Sequence, residues 1–582
     1  MRSRALTCVA LLTGLAVLGG TASAAPASPE AFGTAGRFDR PHSGFAPQWT
    51  KLRDGSPEQV GLDRAPIDAA WNQLRAWTEK QGTANPLYAG AVGVLVHDGV
   101  VVSKGALGHA LRYADDKGTE LPKDKWVPMG ADTIFDMASI SKLFTSVVVM
   151  QQVERGKIDL DRTVASYLPA YAANGKEGIK VRQLLTHTTG MQPFIPLWRD
   201  WPDKPSRIKA ALESKLQQPP GTGYIYSDLN LITLAVLAEQ VAGAPLDVLV
   251  RKGVTDPLGM TDTGYNPPKE KLHRVAATEF AVVPPRGMVR GEVHDENAWS
   301  LGGVAGHAGI FSTARDMAVF GQMVLNGGSY GGKRVLRPDT LRDMTVNYIP
   351  QFAPNQRGLG FELNQHWYMD GLAGQRTAGH TGFTGTSLVI DPTSRSVAVL
   401  LTNRVHPTRT WGSNNPARRA FARGLAQAMG VRPVQGPDAW YSGAPDARDA
   451  TLTTPALPGA KVATFDVFVD TEPKLDKLTV EASVDGGTSW QPVPLRTGGR
   501  GAPEGPQEAL SGSGHRSWWT VLADLPEAKD VTLRWRYSTD AQSSGRGVYL
   551  DGIRVWGPTG LVLDGEREPR RLTADGWRTA RH

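Results

Sequence analysis

A chain of 582 residues, 40% hydrophobic and 21% charged, is too long for one ordinary domain and predicts two or three, each able to bury a core. Its formal charge of +7 comes from Lys and Arg interspersed with Asp and Glu, which excludes the basic blocks of a nucleic-acid binder. The single cysteine, Cys8, sits near the start, so the rest of the chain has no disulfide, thiolate nucleophile or cysteine metal ligand.

Arg2 and Arg4, an apolar run from Ala5 to Gly20, and Ala22-Ser23-Ala24 ahead of Ala25 have the build of a secretory signal peptide spanning residues 1–24. The run is short for a membrane span, and no later stretch is apolar enough for one. A secreted, extracellular protein cleaved after Ala24 is therefore expected, with its charge reduced to +5 by loss of the two arginines. Residues 25–60, rich in Pro, Gly and Ala, predict a leader or linker lying over the first domain. A helix is predicted near Ala65 to Lys80. Ala91 to Val96, a His97-Asp98-Gly99 turn and Val100 to Val102 then predict a hairpin.

The stretch with the most chemistry in it is Phe135-Asp136-Met137-Ala138-Ser139-Ile140-Ser141-Lys142. After Ser139, apolar residues recur at helical intervals through Val153, and Gly156 offers a stop, so the helix is predicted to be buried on nearly all sides. Three residues is close to one turn, which puts the Ser139 hydroxyl and the Lys142 amine on one face. A serine hydroxyl is a poor nucleophile until a neighbour takes its proton, and a lysine whose pKa is lowered by burial could take it or stabilise the base that does. Ser206-Arg207-Ile208-Lys209 has the same spacing, but its polar surroundings after Pro205 predict a solvated helix face.

Further on, Val181 to Gly190 predicts a short helix ending in a turn, with His187 in a structural role. Tyr226-Ser227-Asp228 precedes an apolar helix from Leu229 to Val241. The polar, glycine-rich stretch Gly291 to Gly309 carries His294, Asp295, Glu296 and His307, whose spacing fits no zinc or di-metal signature. A helix is predicted over Asp316 to Leu325, and strands over Ser387 to Ile390 and Val397 to Thr402. Gly379, Gly382 and Gly385 around His380-Thr381-Gly382-Phe383 let a backbone approach a ligand closely.

Ser139-x-x-Lys142, Tyr226-Ser227-Asp228 and His380-Thr381-Gly382 stand in the order of the three motifs of the serine β-lactamase and penicillin-binding-protein superfamily. With Leu184 to Gly190 and Pro220-Gly221-Thr222, the chain resembles its class C-like branch over about residues 55 to 430. That branch includes D,D-carboxypeptidases, D-aminopeptidases and family VIII esterases. The resemblance implies an α+β catalytic domain at 61–430, in which an antiparallel sheet flanked by helices meets a helical subdomain. It implies Ser139 as nucleophile, Lys142 and Tyr226 sharing the roles of base and acid, and the backbone N–H groups of Ser139 and Phe383 as oxyanion hole. Asp228, His380, Thr381 and Gly382 are implied as substrate-binding residues, with no metal and no cofactor. Two departures stand out: Asp228 where many β-lactamases carry Asn, and His380, an imidazole with an ordinary pKa of ~6.5, where they carry Lys. Both weaken an assignment as an efficient β-lactamase and leave ester or D-amino-acid peptide hydrolysis open.

Pro433 to Asp449 predicts a linker, set at 431–449. Beyond it Leu478, Val480, Ala482 and Val484 alternate with polar residues, as do Val531, Leu533, Trp535 and Tyr537, which predicts an all-β, jelly-roll-like sandwich at 450–582. Val484-Asp485-Gly486-Gly487-Thr488-Ser489-Trp490 and Gly547 to Val555 resemble modules appended to peptidases of the immune inhibitor A type. Trp490, Trp518, Trp519, Trp535, Trp556 and Trp577 are either core or a sugar-stacking face, with Trp535 assigned to the core by its alternation. The leading expectation is a secreted serine hydrolase acting on a small ester, peptide or wall-derived substrate through an acyl-enzyme. Its rivals are a non-catalytic wall-peptide or sugar-binding protein on the same fold, and a metallohydrolase using His294 and His307.

Overall fold

A computed structural model describes residues 36–581, and the signal-peptide reading lies outside the described residues. Strands Arg53–Asp54 (β1), Gly90–His97 (β2) and Val100–Leu111 (β3) begin the main sheet. Asp98 and Gly99, both at positive φ (47° and 77°), close the β2–β3 hairpin as an Asp-Gly pair does. Glu362–Leu363 (β4), Ala378–Thr381 (β5), Ser387–Asp391 (β6) and Ser396–Thr402 (β7) follow late in the chain. The order across the sheet is β1-β3-β2-β7-β6-β5-β4, with Val127–Pro128 added on β3. Neighbours are antiparallel, for example Val399 opposite Val94 and His380 opposite Leu388, except that β1 runs parallel to β3.

Every residue of β2 and β7 is buried, because helices cover both faces of the sheet. Arg64–Ala76 (α1) and Asn415–Ala428 (α5) lie on one side, where Trp71 and Phe421 meet edge-to-face at 5.3 Å. A Cβ at Gly93 would come within 2.6 Å of Phe421 and 2.8 Å of Trp71, so the strand approaches these rings only without a side chain. On the other side pack Ser141–Glu154 (α2), Asp228–Ala242 (α3) and Ala314–Leu325 (α4). The second Ser-x-x-Lys match lies on the helix Lys204–Leu212, capped by Asp203, with Lys209 exposed as its polar setting requires.

The part of the leader that is described is built into this domain. Phe38 is buried, the Gly36 N–H donates to His97 Nε2 (3.0 Å), and β1 joins the sheet edge. The stretch 431–449 likewise holds a strand, Ala439–Tyr441, paired with Leu550 and Tyr549 on one side and Arg578 to Ala580 on the other. Three residues flanked by Pro and Gly carry too little alternation to be read as a strand.

The C-terminal region stacks two antiparallel sheets whose central strands are Val462–Asp470 and Gly547–Gly557 in one and Lys477–Ser483 and Asp530–Ser538 in the other. Trp535 is fully buried between them against Phe465, and Trp519 and Trp577 are buried too. Trp518 packs at the boundary with the catalytic domain, Trp490 lies under Arg534, and Trp556 is 41% exposed. That boundary is apolar, with Tyr441, Phe468 and Tyr549 joining Phe421, Leu425 and Met429 in one cluster. A buried ion pair, Arg516 Nη1 to Asp391 Oδ2 at 2.6 Å, crosses it.

Candidate active site

Ser139 stands in a single 3-10 turn, Ala138–Ile140, directly ahead of α2. Ala138 has φ 46°, a strained value for an alanine. Its neighbours fix this turn in place. The Met137 N–H donates to the Ile310 carbonyl (2.9 Å), the Thr384 hydroxyl donates to the Asp136 carbonyl (2.7 Å), and the Thr386 hydroxyl to the Met137 carbonyl (3.2 Å). A Cβ on Gly382 would lie 2.4 Å from that same Met137 oxygen. The glycine thus lets β5 and the loop after it lie directly on the turn that presents the serine.

Lys142 is fully buried one turn into α2, and its Nζ donates to Ser139 Oγ (2.8 Å) and to the His307 carbonyl (3.1 Å). Asp228 Oδ1 approaches the same Nζ to 2.8 Å, a contact ion pair that falls short of linear hydrogen-bond geometry. The lysine therefore departs from the expectation of a lowered pKa, one of the two roles the sequence leaves open. Burial alone would lower its pKa, but the Asp228 carboxylate and the Tyr226 phenol outweigh it and raise the pKa above the ordinary lysine value. Lys142 is held as an ammonium and is a hydrogen-bond donor to Ser139, not a free amine.

Tyr226 arrives on the loop before α3. Its ring lies 4.9 Å from Lys142 Nζ and packs against His187 at 4.6 Å. His187 is buried at φ 56°, and its Nδ1 takes the Ser227 N–H (3.1 Å) and the Asn230 side-chain amide (3.2 Å), so it shapes the loop that presents Tyr226. Burial, with Arg357 and Lys142 nearby, drives its pKa well below the ordinary histidine value. His380 differs from expectation for the same reason. Burial, aided by Arg357 and Lys142 against Glu362, lowers it to about 4, so it is a neutral imidazole whose Nδ1 bonds to the Thr381 carbonyl (2.8 Å).

Ser139, Tyr226, His380, Thr381, Gly382 and Phe383 line one cavity of about 470 Å³. Lys142 lies beneath Ser139, and Asp228 behind Lys142. Phe383 is half-exposed at the rim, its ring 5.8 Å from His294 and 5.4 and 5.5 Å from the Arg404 and Arg409 guanidinium carbons. Sequence reasoning missed Tyr224, Arg357, Glu362, Arg404, Asn414 and Arg418, which share the cavity wall. Arg357-Gly358-Leu359-Gly360 is their clearest local signal, an arginine set among glycines.

The histidine-rich loop divides into two separate pairs. His294 Nε2 faces Glu279 Oε2 (2.9 Å), which also holds Arg409, while His307 Nε2 faces Asp295 Oδ1 (2.8 Å). Donor atoms of Asp228, Asp295 and His307 lie within 4.8 Å of one another. Lys142 Nζ already meets Asp228 and the His307 carbonyl there, so the positive charge that this donor set faces is the ammonium.

Residues 76–423 match the beta-lactamase family. Proteins of Salmonella schwarzengrund and Salmonella enteritidis, each named as a D-alanyl-D-alanine carboxypeptidase, are 32% identical over 423 and 421 residues, covering 66% of this chain and 93% of theirs. The crystal structure of a beta-lactamase/D-alanine carboxypeptidase from Pseudomonas syringae shares the fold, with a TM-score of 0.50 and 19% identity over 63% of this chain and 99% of that one. With its three motifs gathered around one cavity, the chain belongs to the beta-lactamase family and is a hydrolase of that superfamily, carrying an additional all-β region at its C-terminus.

Proposed function

We propose that the protein is an exported serine hydrolase that works through an acyl-enzyme on Ser139, with peptides ending in D-alanyl-D-alanine as its substrate class and short esters as surrogates. The observation that carries this reading is the 2.8 Å contact between Lys142 Nζ and Ser139 Oγ at the floor of a cavity that Tyr226 also lines. Because Lys142 is a donor to Ser139, the base is the Tyr226 oxygen in its phenolate form. As Ser139 Oγ bonds to the acyl carbon, its proton passes to that oxygen. When the tetrahedral adduct collapses, the bond to the leaving amine or alkoxide breaks and Tyr226 returns the proton to it. Water then attacks the acyl carbon and loses a proton to the same oxygen, and as the bond from the acyl carbon to Ser139 Oγ breaks, Tyr226 passes that proton to Oγ, which frees the carboxylic acid and restores the phenolate. The Ser139 and Phe383 N–H groups are assigned to the oxyanion in both steps.

The names of the 32%-identical relatives support the peptide class. So does Arg404, a guanidinium on the cavity wall whose hydrogen bond within the protein is to the Arg409 carbonyl (3.3 Å), free to meet a terminal carboxylate. Export is supported by Arg2, Arg4 and the apolar run after them. The purified protein is tested against a D-Ala-D-Ala peptide, its C-terminal amide, a short p-nitrophenyl ester and a chromogenic cephalosporin. The free-carboxylate peptide and the ester are expected to turn over, the amide and the cephalosporin to lag. Ser139→Ala is expected to abolish turnover with its circular dichroism unchanged, and wild-type rates in that variant would refute the acyl-enzyme.

A further inference from the structure

Arg357 lies on the loop before β4, 3% exposed, and every part of its guanidinium is occupied. Nε and Nη2 donate to the Tyr224 hydroxyl (3.1 and 2.8 Å), Nη2 also to Glu362 Oε1 (2.9 Å), and Nη1 lies 3.5 Å from His380 Nε2. So held, its Cζ stands 5.2 Å from the centroid of the Tyr226 ring, with the Lys142 ammonium 4.9 Å from the same centroid. An arginine keeps its charge at any working pH, whereas His380, the other basic group beside that ring at 6.2 Å, is buried and neutral. The remaining groups around Tyr226 are the neutral His187 and the Asp228 carboxylate, which opposes the two cations.

We propose that Arg357 is a positioning residue that makes Tyr226 usable as a base: clamped by Tyr224 and Glu362, its guanidinium supplies the fixed positive charge that favours the phenolate over the phenol. This deepens the acyl-enzyme reading and rests on it for the role of Tyr226. Burial is the largest local effect and, with Asp228, leaves the Tyr226 phenol above its ordinary value, while Lys142 and Arg357 pull it down, so the two cations are what keeps the phenolate within reach. The charge is delivered from a loop more than a hundred residues from the tyrosine in sequence, which is why no motif announces it.

The test has one arm that needs no turnover. In a Ser139→Ala background, the ionisation of Tyr226 is read by ultraviolet difference titration against the same protein carrying Tyr226→Phe. Adding Arg357→Gln is expected to move that midpoint up by about one pH unit, and Arg357→Lys to restore part of it. In the active enzyme, Arg357→Gln should move the acid limb of the kcat/KM profile for the ester upward by a similar amount, with KM changed less than kcat. If Arg357→Gln does not fold, Tyr224→Phe, which removes the acceptor of two guanidinium hydrogen bonds, is expected to give a smaller shift of the same sign. An unmoved Tyr226 midpoint and an unmoved acid limb, whatever the loss of rate, would overturn the proposal. Failure of the wild-type protein to hydrolyse any substrate would instead defeat the acyl-enzyme reading, because the titration arm still reports on Arg357.

Discussion

Asp228 is the residue whose chemistry the sequence made visible and whose partner it concealed. It was legible as a departure, an acid where an amide is common, and that suggested a changed contact with substrate. In space the carboxylate lies 2.8 Å from Lys142 Nζ, so its first effect is on the lysine. Replacing it by asparagine removes a negative charge that raises Lys142 and also raises Tyr226. Both groups should then release their protons at lower pH. Asp228→Asn is expected to move both limbs of the kcat/KM profile downward, the alkaline limb by on the order of 1–3 pH units, the usual effect of losing an opposite charge at this range. Because the two groups interact, the limbs report the pair and not either residue alone. A profile superimposable on that of the wild type would show that the ion pair has no part in catalysis. The opposite sign expected for Arg357→Gln makes the two variants mutual controls.

At the scale of elements, the helix after Ser139, the helix after Asp228 and the strands around His380 were all legible, because each is a run of apolar residues with a period set by its own geometry. What joins them was not. The turn at Ala138 is fixed by Thr384 and Thr386, some 250 residues away, and long-range contacts leave no period in a single sequence. Gly382 is where the joining is tightest, since an added Cβ would lie 2.1 Å from Thr386 Oγ and 2.4 Å from the Met137 carbonyl. Gly382→Ala must therefore push the strand away from the turn that carries Ser139. The cost in stability is expected at about 1–3 kcal/mol, as for overpacking in a core. The cost in kcat/KM for the ester is expected to be larger, on the order of 100-fold, because a displacement near 1 Å is enough to misalign reacting groups. Steady-state rates set beside a urea unfolding curve separate the two, and a variant that loses stability but keeps its rate would show that this contact does not position Ser139.

For the whole molecule, the family resemblance marked an α+β region and the change to period-two alternation marked an all-β one after it, yet the Pro- and Gly-rich stretch between them read as a linker where the two are in fact joined. Ala439–Tyr441 is a strand of the sandwich, Phe38 from the leader packs with Arg516 at 4.0 Å, and Arg516 reaches back to Asp391 on β6. Burial at this junction is paired unevenly. Asp391 has a guanidinium, whereas Asp470, 3% exposed, receives the Arg546 N–H (3.0 Å) and is pushed up to about 7 by burial, against the pull of Arg516 and Arg546. A carboxyl group whose folded pKa lies above its unfolded value of 3.8 binds a proton that the unfolded chain has already lost. Its contribution to stability is complete below about pH 4 and is lost as the pH rises through 7. Asp470→Asn keeps the shape and remains neutral throughout. The stability of the wild type relative to this variant is therefore expected to fall by up to about 1.4 kcal/mol per pH unit between pH 4 and 7 and to level off above that range. Urea unfolding of both proteins at pH 5, 6, 7 and 8, followed by tryptophan fluorescence, measures the difference directly. A gap that stays constant across the series would mean that Asp470 is already ionised in the fold, and that the junction accommodates two carboxylates, at 391 and 470, against the guanidinium groups of Arg516 and Arg546.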